Sequence, residues 1–457
     1  MVFIFVGTAM YGSDTSDMGS SRYIHCFQIQ VVEGGSAGKL PRHIRLERYA
    51  KPAEIEGNPA FQRLVTIAPG HHMLYSVDET DAWRSDDGKP ANAGAVHAFA
   101  VTATAKVEAQ KMPLRSDALL GQAWAKAAPD GDDDPPPLVA VGEPQASGGG
   151  HPCNLAVAPG GAGGPAPARS LVVANYSGGS VSLLPLDDVG ALGAAVSTVA
   201  HEGSSSLLVP ALADRQEAPH CHCAAVHPTC AAPQCVAVCD LGLDIVFAYD
   251  IVGGAVLRGG ARDPASDRHL VLPVGSGPRH MAWHPNGRVA YVVNELTATL
   301  AVAAFDPAAR AFAPAPLQLL PLLPPAFEGG ASRDHHQGSA DVHLHPSGRW
   351  LYASSRTPKP GVITVFAVSD DGALDGARLE VVQHISTRGD IPRNFAISRD
   401  GSLLLVANQD SYNLVAFSID HHAGDDATGK LTYCGEHSLT PLDGKPTCVT
   451  FYDGDDD

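Results

Sequence analysis

Positive charge is scarce. Lys and Arg number 31 against 49 Asp and Glu in 457 residues, a formal net charge of −18. A balance of that sign argues against a surface built for nucleic acid or for anionic lipid, because both attract basic patches. Long apolar runs are missing too. The opening stretch Val2-Phe3-Ile4-Phe5-Val6 ends at Gly7-Thr8, far short of the ~18 residues that suggest a membrane span. No basic residue precedes it, as a secretory signal needs, and it lacks the Arg- and Ser-rich character of a transit peptide, so it reads as a β-strand. Nine cysteines are an odd count in a large chain with no such signal. They predict reduced thiols and a cytoplasmic protein, in which the sequon Asn175-Tyr176-Ser177 has no meaning. No P-loop or dinucleotide fingerprint occurs, and no cofactor is expected.

Turn residues and apolar residues are plentiful. Gly (47) and Pro (36) make 83 of 457 positions, only 18% of residues are charged and 44% are hydrophobic. That mixture suits many strands joined by many turns around a large core. The order comes from an internal repeat. Gly277-Pro278-Arg279-His280-Met281-Ala282-Trp283-His284-Pro285-Asn286-Gly287, followed by Val289 to Glu295, returns from Ser339 to Arg356 and again from Pro392 to Gln409. Weaker copies begin at Asn58-Pro59, His151-Pro152 and Pro219-His220. Each copy holds an apolar strand, a Pro/Gly turn and a second strand, and a third strand usually follows. Equivalent positions are 62 (278 to 340), 52 (340 to 392) and 54 (392 to 446) residues apart, the spacing of propeller blades. A seventh copy starts at Lys445-Pro446 and breaks off, but Val2–Thr8 and Tyr23–Ile29 fit its missing second and third strands. The sequence therefore predicts an all-β fold, one seven-bladed β-propeller domain over residues 1–457, closed by a blade shared between the termini. Segments 81–95, 128–150, 158–168 and 200–217 are expected to be insertions between strands.

Two sets of polar side chains recur at fixed places in the copies. His220, Arg279, Asp341 and Arg393 follow the opening position, where Cys153 and Ala60 stand in other copies; Glu79, Asn175, Asp240, Glu295, Arg356 and Gln409 end the next strand. Innermost strands line the central channel of a propeller, so both sets are expected at its mouth. Arg279 and Glu295, 16 residues apart (279 to 295), span one strand, a turn and the next strand. They read either as a functional pair or as a structural ion pair, and His220 and His222 either as channel groups or as ordinary hydrogen-bonded histidines.

The phrases Gly275-Ser276-Gly277-Pro278-Arg279-His280, Tyr291-Val292-Val293-Asn294-Glu295-Leu296, Ala174-Asn175-Tyr176-Ser177-Gly178-Gly179 and Asp240-Leu241-Gly242-Leu243-Asp244 occur in an order that resembles the seven-bladed β-propeller lactonases. That family includes the propeller-type 6-phosphogluconolactonases and the carboxy-muconate cyclases. The resemblance implies a metal-independent hydrolase opening a sugar-acid lactone such as 6-phosphogluconolactone, with a small anionic sugar lactone as its partner and a monomer as its form. It carries over His220 or His222, Arg279, Glu295 and Arg356 as the catalytic set. Asn154, Asn175, Asp341, His343, Arg393 and Gln409 are the candidate substrate-binding residues. Asn154 and Asn394 stand where the resemblance expects histidine, and an amide cannot titrate near neutrality. A muconate-type cycloisomerase and a non-catalytic propeller that binds a sugar acid or a protein remain alternatives.

Other patterns are set aside. His220-Cys221-His222-Cys223 with Cys230, Cys235 and Cys239 matches no regular zinc spacing, so buried thiols are expected and no metal. Gly34-Gly35-Ser36-Ala37-Gly38 lacks the strand and helix that a nucleophile elbow needs. His227, His284 and His345 repeat with the copies at one turn and read as scaffold, and His335-His336 as solvated loop.

Overall fold

The computed structural model describes residues 2–9, 22–33, 43–49, 52–55, 58–81, 93–102, 138–159, 169–204, 212–230, 233–259, 268–325, 338–369, 374, 376–421 and 427–452. They form seven antiparallel sheets of four or five strands. The innermost strands are, in chain order, Pro59–Ala68, Pro152–Ala158, Cys221–Val226, Pro278–Trp283, Ser339–Leu344, Pro392–Ile397 and Lys445–Tyr452, and they define blades 1 to 7. Blade 7 is the shared one. Its inner strand pairs with Phe3–Ala9 in the register Phe3↔Tyr452 to Ala9↔Lys445, and Phe3–Ala9 pairs in turn with Arg22–Glu33. Joining the termini in one sheet removes the open edges that an unclosed ring would expose.

The hydrophobic core is divided among the blade interfaces. Seven apolar clusters are present among the described residues, one between each pair of neighbouring blades. Cys235, Cys239, Met281, Val292 and Phe305, for example, fill the space between blades 3 and 4. Polar contacts repeat with the same period. Tyr75, Tyr291 and Tyr352 each donate a hydroxyl to a glycine carbonyl of the next blade, at Gly190, Gly376 and Gly429. Gly429 has φ +66°, and a Cβ there would lie 2.3 Å from the Trp350 ring, so this turn requires glycine. The turn histidines are scaffold as expected: a ring nitrogen of His227 meets Gly287 O, and one of His345 meets Gly401 O, each in the next blade.

The insertion boundaries need correcting. Leu138–Ala140 and Gln145–Ala146, inside the segment 128–150, complete the sheet of blade 1. Residues 212–216, inside 200–217, bring a charged side chain to the channel mouth. The segments 34–38 and 335–336 lie outside the described residues.

Candidate active site at the channel mouth

Every inner strand opens with a register irregularity. Pro278 pairs with Asn294 but His280 with Val293, which leaves Arg279 as an extra residue, and the same shift recurs in all seven blades. An added residue of this kind bends the strand and re-aims a side chain. The extra residues are Ala60, Cys153, His222, Arg279, Arg393 and Thr447, with Ala340-Asp341 spanning the shift in blade 5. His222 is thus the equivalent of Arg279. The repeat had aligned His220 instead, because Pro219 resembles an opening proline, whereas the strand starts at Cys221.

One residue beyond the second strand comes the rim: Glu79, Tyr176, Leu241, Glu295, Arg356 and Gln409. Asn175 and Asp240 sit one position earlier. The Asn175 amide donates to Ser147 O and to the hydroxyls of Ser180 and Ser182 inside its blade. Asp240 Oδ2 lies 2.5 Å from His201 Nδ1, and His201 Nε2 lies 2.7 Å from the Tyr249 hydroxyl. His201, Cys221 and Asp240 form the one cluster of potential metal ligands among the described residues. In this arrangement histidine and carboxylate satisfy each other.

The rim and the extra residues meet around Glu295, which is 2% exposed. Arg279 Nε lies 2.8 Å from Glu295 Oε2, Arg215 Nη2 2.6 Å from Oε1 and Arg356 Nη1 3.4 Å from Oε1. Arg279 also donates through Nη1 to Ala340 O. Arg393 pairs with Glu79 at 3.1 Å. Four arginines against two glutamates leave a local charge of +2 (4 − 2) in a chain of −18. Beside them the Tyr176 ring stacks on His220 with centroids 4.3 Å apart and meets His222 edge-on at 5.4 Å. His220 Nδ1 lies 3.1 Å from Tyr176 O, and its Nε2 lies 3.1 Å from Glu217 Oε1. His222 Nδ1 is 3.6 Å from Cys153 Sγ.

The profile described as "Lactonase, 7-bladed beta-propeller" matches residues 130–451. The chain belongs to the seven-bladed β-propeller lactonase family. It is 31% identical to the 6-phosphogluconolactonase of Bacillus subtilis (strain 168) over 281 residues, which are 62% of this chain and 69% of that one. With the 6-phosphogluconolactonase of Sodalis glossinidius it shares 34% over 256 residues, 56% of this chain and 66% of the other. A Bacteroides fragilis structure described as a candidate 6-phosphogluconolactonase superposes with a TM-score of 0.66 at 25% identity, covering 99% of this chain and 98% of that one. The periplasmic gluconolactonase of Pseudomonas aeruginosa shares the fold, with a TM-score of 0.65 at 23% identity and 99% of each chain covered. Membership makes the protein a lactonase-type hydrolase.

In this lactonase the charges at the mouth are fixed by burial and by one another. Burial would raise the Glu295 carboxyl, but Arg356, Arg215 and Arg279 outweigh it and hold the group well below the usual carboxylate range. Burial lowers Arg356 to about 9, with Glu295 opposing the fall and Arg279 adding to it. Burial keeps His222 neutral, and Arg279, His280 and Arg393 reinforce it. Sequence reasoning missed Arg215 and Tyr176. Arg215 comes from a connecting segment with no counterpart in other blades. It reaches both Glu295 and the Tyr176 hydroxyl, while Gln216 pins the segment to Leu241 O and Asp244. Tyr176 was legible in principle, since Pro152 pairs with Asn175 as Pro278 pairs with Asn294.

A second level crosses the channel below. Asn154 Oδ1 accepts from Ala224 N, Asn394 Oδ1 from Val449 N and Asp341 Oδ2 from Phe395 N, each bridging to the next blade. The two asparagines are therefore blade staples, and Asp341 belongs to this belt. His343 lies lower still, paired to Asp341 at 3.0 Å. Gln409 stands half-buried on the rim, its side chain 3.3 Å from Asp410. Beyond the belt the channel opens into cavities of about 770 and 570 Å³, away from Glu295. At the charged mouth four arginines, two carboxylates and two histidines come together, which makes it the candidate active site.

Burial lowers His97 to about 4, and lowers belt His280 to about 4 with Arg279 adding and Asp341 opposing. Unfolded, each takes a proton near 6.5, and folded it resists until about 4. Stability therefore falls as pH drops through that window, by roughly 1.4 kcal/mol per pH unit for each group. Asp78, raised by burial to about 6, binds its proton more readily when folded and cancels one of the two between about 6 and 3.8. Urea midpoints should fall from pH 6.5 to 4, and His280→Asn, which copies its belt neighbours, should flatten the slope by about one proton. An unchanged slope would contradict the assignment.

Proposed function

We propose that the enzyme hydrolyses 6-phosphogluconolactone to 6-phosphogluconate. The observation that carries this reading is the cluster of Arg215, Arg279, Arg356 and Arg393 at the mouth of an otherwise acidic protein. Guanidinium forks suit phosphate and carboxylate, and they also stabilise the oxyanion that forms when water adds to the lactone carbonyl. Curated relatives that share about 30% identity carry the same activity in their names.

In the proposed sequence a water loses its proton to the His220–Glu217 pair as its oxygen bonds to the carbonyl carbon, since both His220 nitrogens face acceptors and the pair shares the basic site. The carbonyl oxygen becomes an oxyanion held by Arg279 and Arg356. Collapse breaks the ring C–O bond, and the proton goes from the pair to the departing alkoxide. Glu217, half-exposed beside His220, provides an outlet to solvent. Glu295 is too weak a base to take the proton, and its role is to hold the arginines in place. Arg393, with Glu79, faces the phosphate. All nine cysteines are free, which suits the cytoplasm, and the site is complete within one chain, so a monomer suffices.

The test is the initial rate of 6-phosphogluconolactone opening above the spontaneous rate, with and without a chelator. Wild type should turn over unaffected by chelation, and Arg279→Ala should lose about 10²- to 10³-fold in kcat. No rate above background would sink the substrate assignment, and loss on chelation would sink a metal-free scheme. Turnover of muconate-type lactones alone would favour a cycloisomerase. Ligand-induced stabilisation without turnover would indicate a binding protein.

A further inference from the structure

The channel end opposite Glu295 holds chemistry that lactone hydrolysis does not use. At the level below the belt, four blades contribute only a methyl group, from Ala156, Ala225, Ala282 and Ala396. Ala156, Ala225 and Ala282 leave room for a cavity of about 770 Å³ there, and Ala396 borders the neighbouring one of about 570 Å³. The polar lining of the larger cavity includes His280, His343 and Asp341 with two arginines, Arg63 and Arg169, of which Arg169 already donates to Ile67 O.

Asp341 sets the state of the two histidines. Its Oδ1 lies 2.7 Å from His280 Nδ1 and accepts from Val342 N; its Oδ2 lies 3.0 Å from His343 Nε2 and accepts from the Asn394 amide at 2.6 Å. A carboxylate only accepts, so His280 carries its proton on Nδ1 and presents a lone pair at Nε2. His280 is 6% exposed, and its Nε2 has no protein hydrogen-bond partner. A buried acceptor of this kind calls for a donor such as a hydroxyl. Arg63 supplies the complementary requirement. It is exposed at the edge of the cavity with its guanidinium over the Phe61 ring at 5.5 Å, and among the described residues no carboxylate pairs with it.

We propose that this vestibule is a second binding site, for a small anion that also carries a hydroxyl, an open-chain hydroxy acid. The anionic end meets Arg63 and the hydroxyl donates to His280 Nε2. The belt lies between this site and the charged mouth, so occupancy here does not require the catalytic groups, and the assignment is independent of which lactone the enzyme opens.

The experiment is calorimetric titration of the full chain with D-gluconate, with sorbitol as the uncharged control and acetate as the control without a hydroxyl. Gluconate should bind, and both controls should bind at least ten-fold more weakly. Arg63→Ala should weaken gluconate at least ten-fold, and Ala225→Leu, which fills the cavity, should abolish binding, while both keep lactone hydrolysis within two-fold of wild type. Arg279→Ala, which disables the mouth, should leave this binding intact. If Ala225→Leu does not fold, the surface variant Arg63→Ala carries the test alone. The proposal is overturned if gluconate does not bind, if acetate or sorbitol binds equally well, or if binding follows Arg279 and ignores Arg63.

Discussion

Replacing Glu295 with glutamine is expected to remove most of the activity and to destabilise the fold by about 3–5 kcal/mol, the range for breaking a buried ion pair from one side. The side chain keeps its shape, so the effect isolates the charge. Arg215, Arg279 and Arg356 would then converge on a neutral amide, within a site where all four side chains are at most 10% exposed. Their mutual repulsion, which Glu295 now offsets, would push the guanidinium groups away from the oxyanion position. Denaturant midpoints and kcat/KM measured on the same preparation check both effects. The double variant Glu295→Gln with Arg215→Gln removes one surplus positive charge and should recover part of the stability without the activity. A single variant within two-fold of wild type in rate, and equally stable, would show that Glu295 does not anchor the arginines.

The second large effect is expected from one methyl group at Gly338. A Cβ at this position would lie 1.5 Å from the Glu295 carbonyl oxygen, and the Gly338 carbonyl itself accepts from Arg356 N. The obstructing atom is backbone, so no rotamer change relieves the overlap. The chain entering blade 5 would have to move away from Glu295 and Arg356 together. Gly338→Ala should therefore cost roughly 3 kcal/mol or more, at or above the upper end for overpacking, and lower kcat/KM by at least as much as loss of one oxyanion donor, about 10²-fold. Gly150→Ala is the control. Its Cβ would meet Asp81 Cβ at an ordinary 3.4 Å, and it should behave like wild type in both assays. If Gly338→Ala does the same, the close approach at the mouth is not a constraint.

Both experiments act on a site assembled from pieces that differ in how legible they were. Arg279 and Glu295 lie in the clearest repeat, one strand and one turn apart, and periodicity places them at one rim. Arg356 follows from the same phrase one copy later. The distinction between His220 and His222, and between Asn175 and Tyr176, turns on a single-residue shift at the start of each inner strand. Side-chain direction alternates with every residue of a strand, so an alignment one residue out exchanges a rim group for a blade-interior group. Asn175 and Asp240 read as members of the rim for that reason, and they are blade-interior staples. Asn154 and Asn394, read against the histidines expected there, prove to accept backbone amides of the next blade, a role that needs no titration.

Other features carried no sequence signal. Arg215 lies in a segment without periodicity, and its arrival at Glu295 depends on how that segment folds back across the mouth, 80 residues before its partner. The vestibule depends on alanines that are unremarkable singly and leave room for a cavity when three blades bring them to one level.

The sequence by itself determined the ring: a repeat of strands and turns can bury its faces only against copies of itself, and a final copy lacking strands that the amino terminus supplies can only close. It also determined the sign of the chain's charge and the residues of the strongest phrases. Tertiary structure alone decided which of those residues share a carboxylate, which staple blades, and where +2 gathers in a protein of −18, because these depend on distances between blades and on burial that converts a modest surface attraction into a strong one.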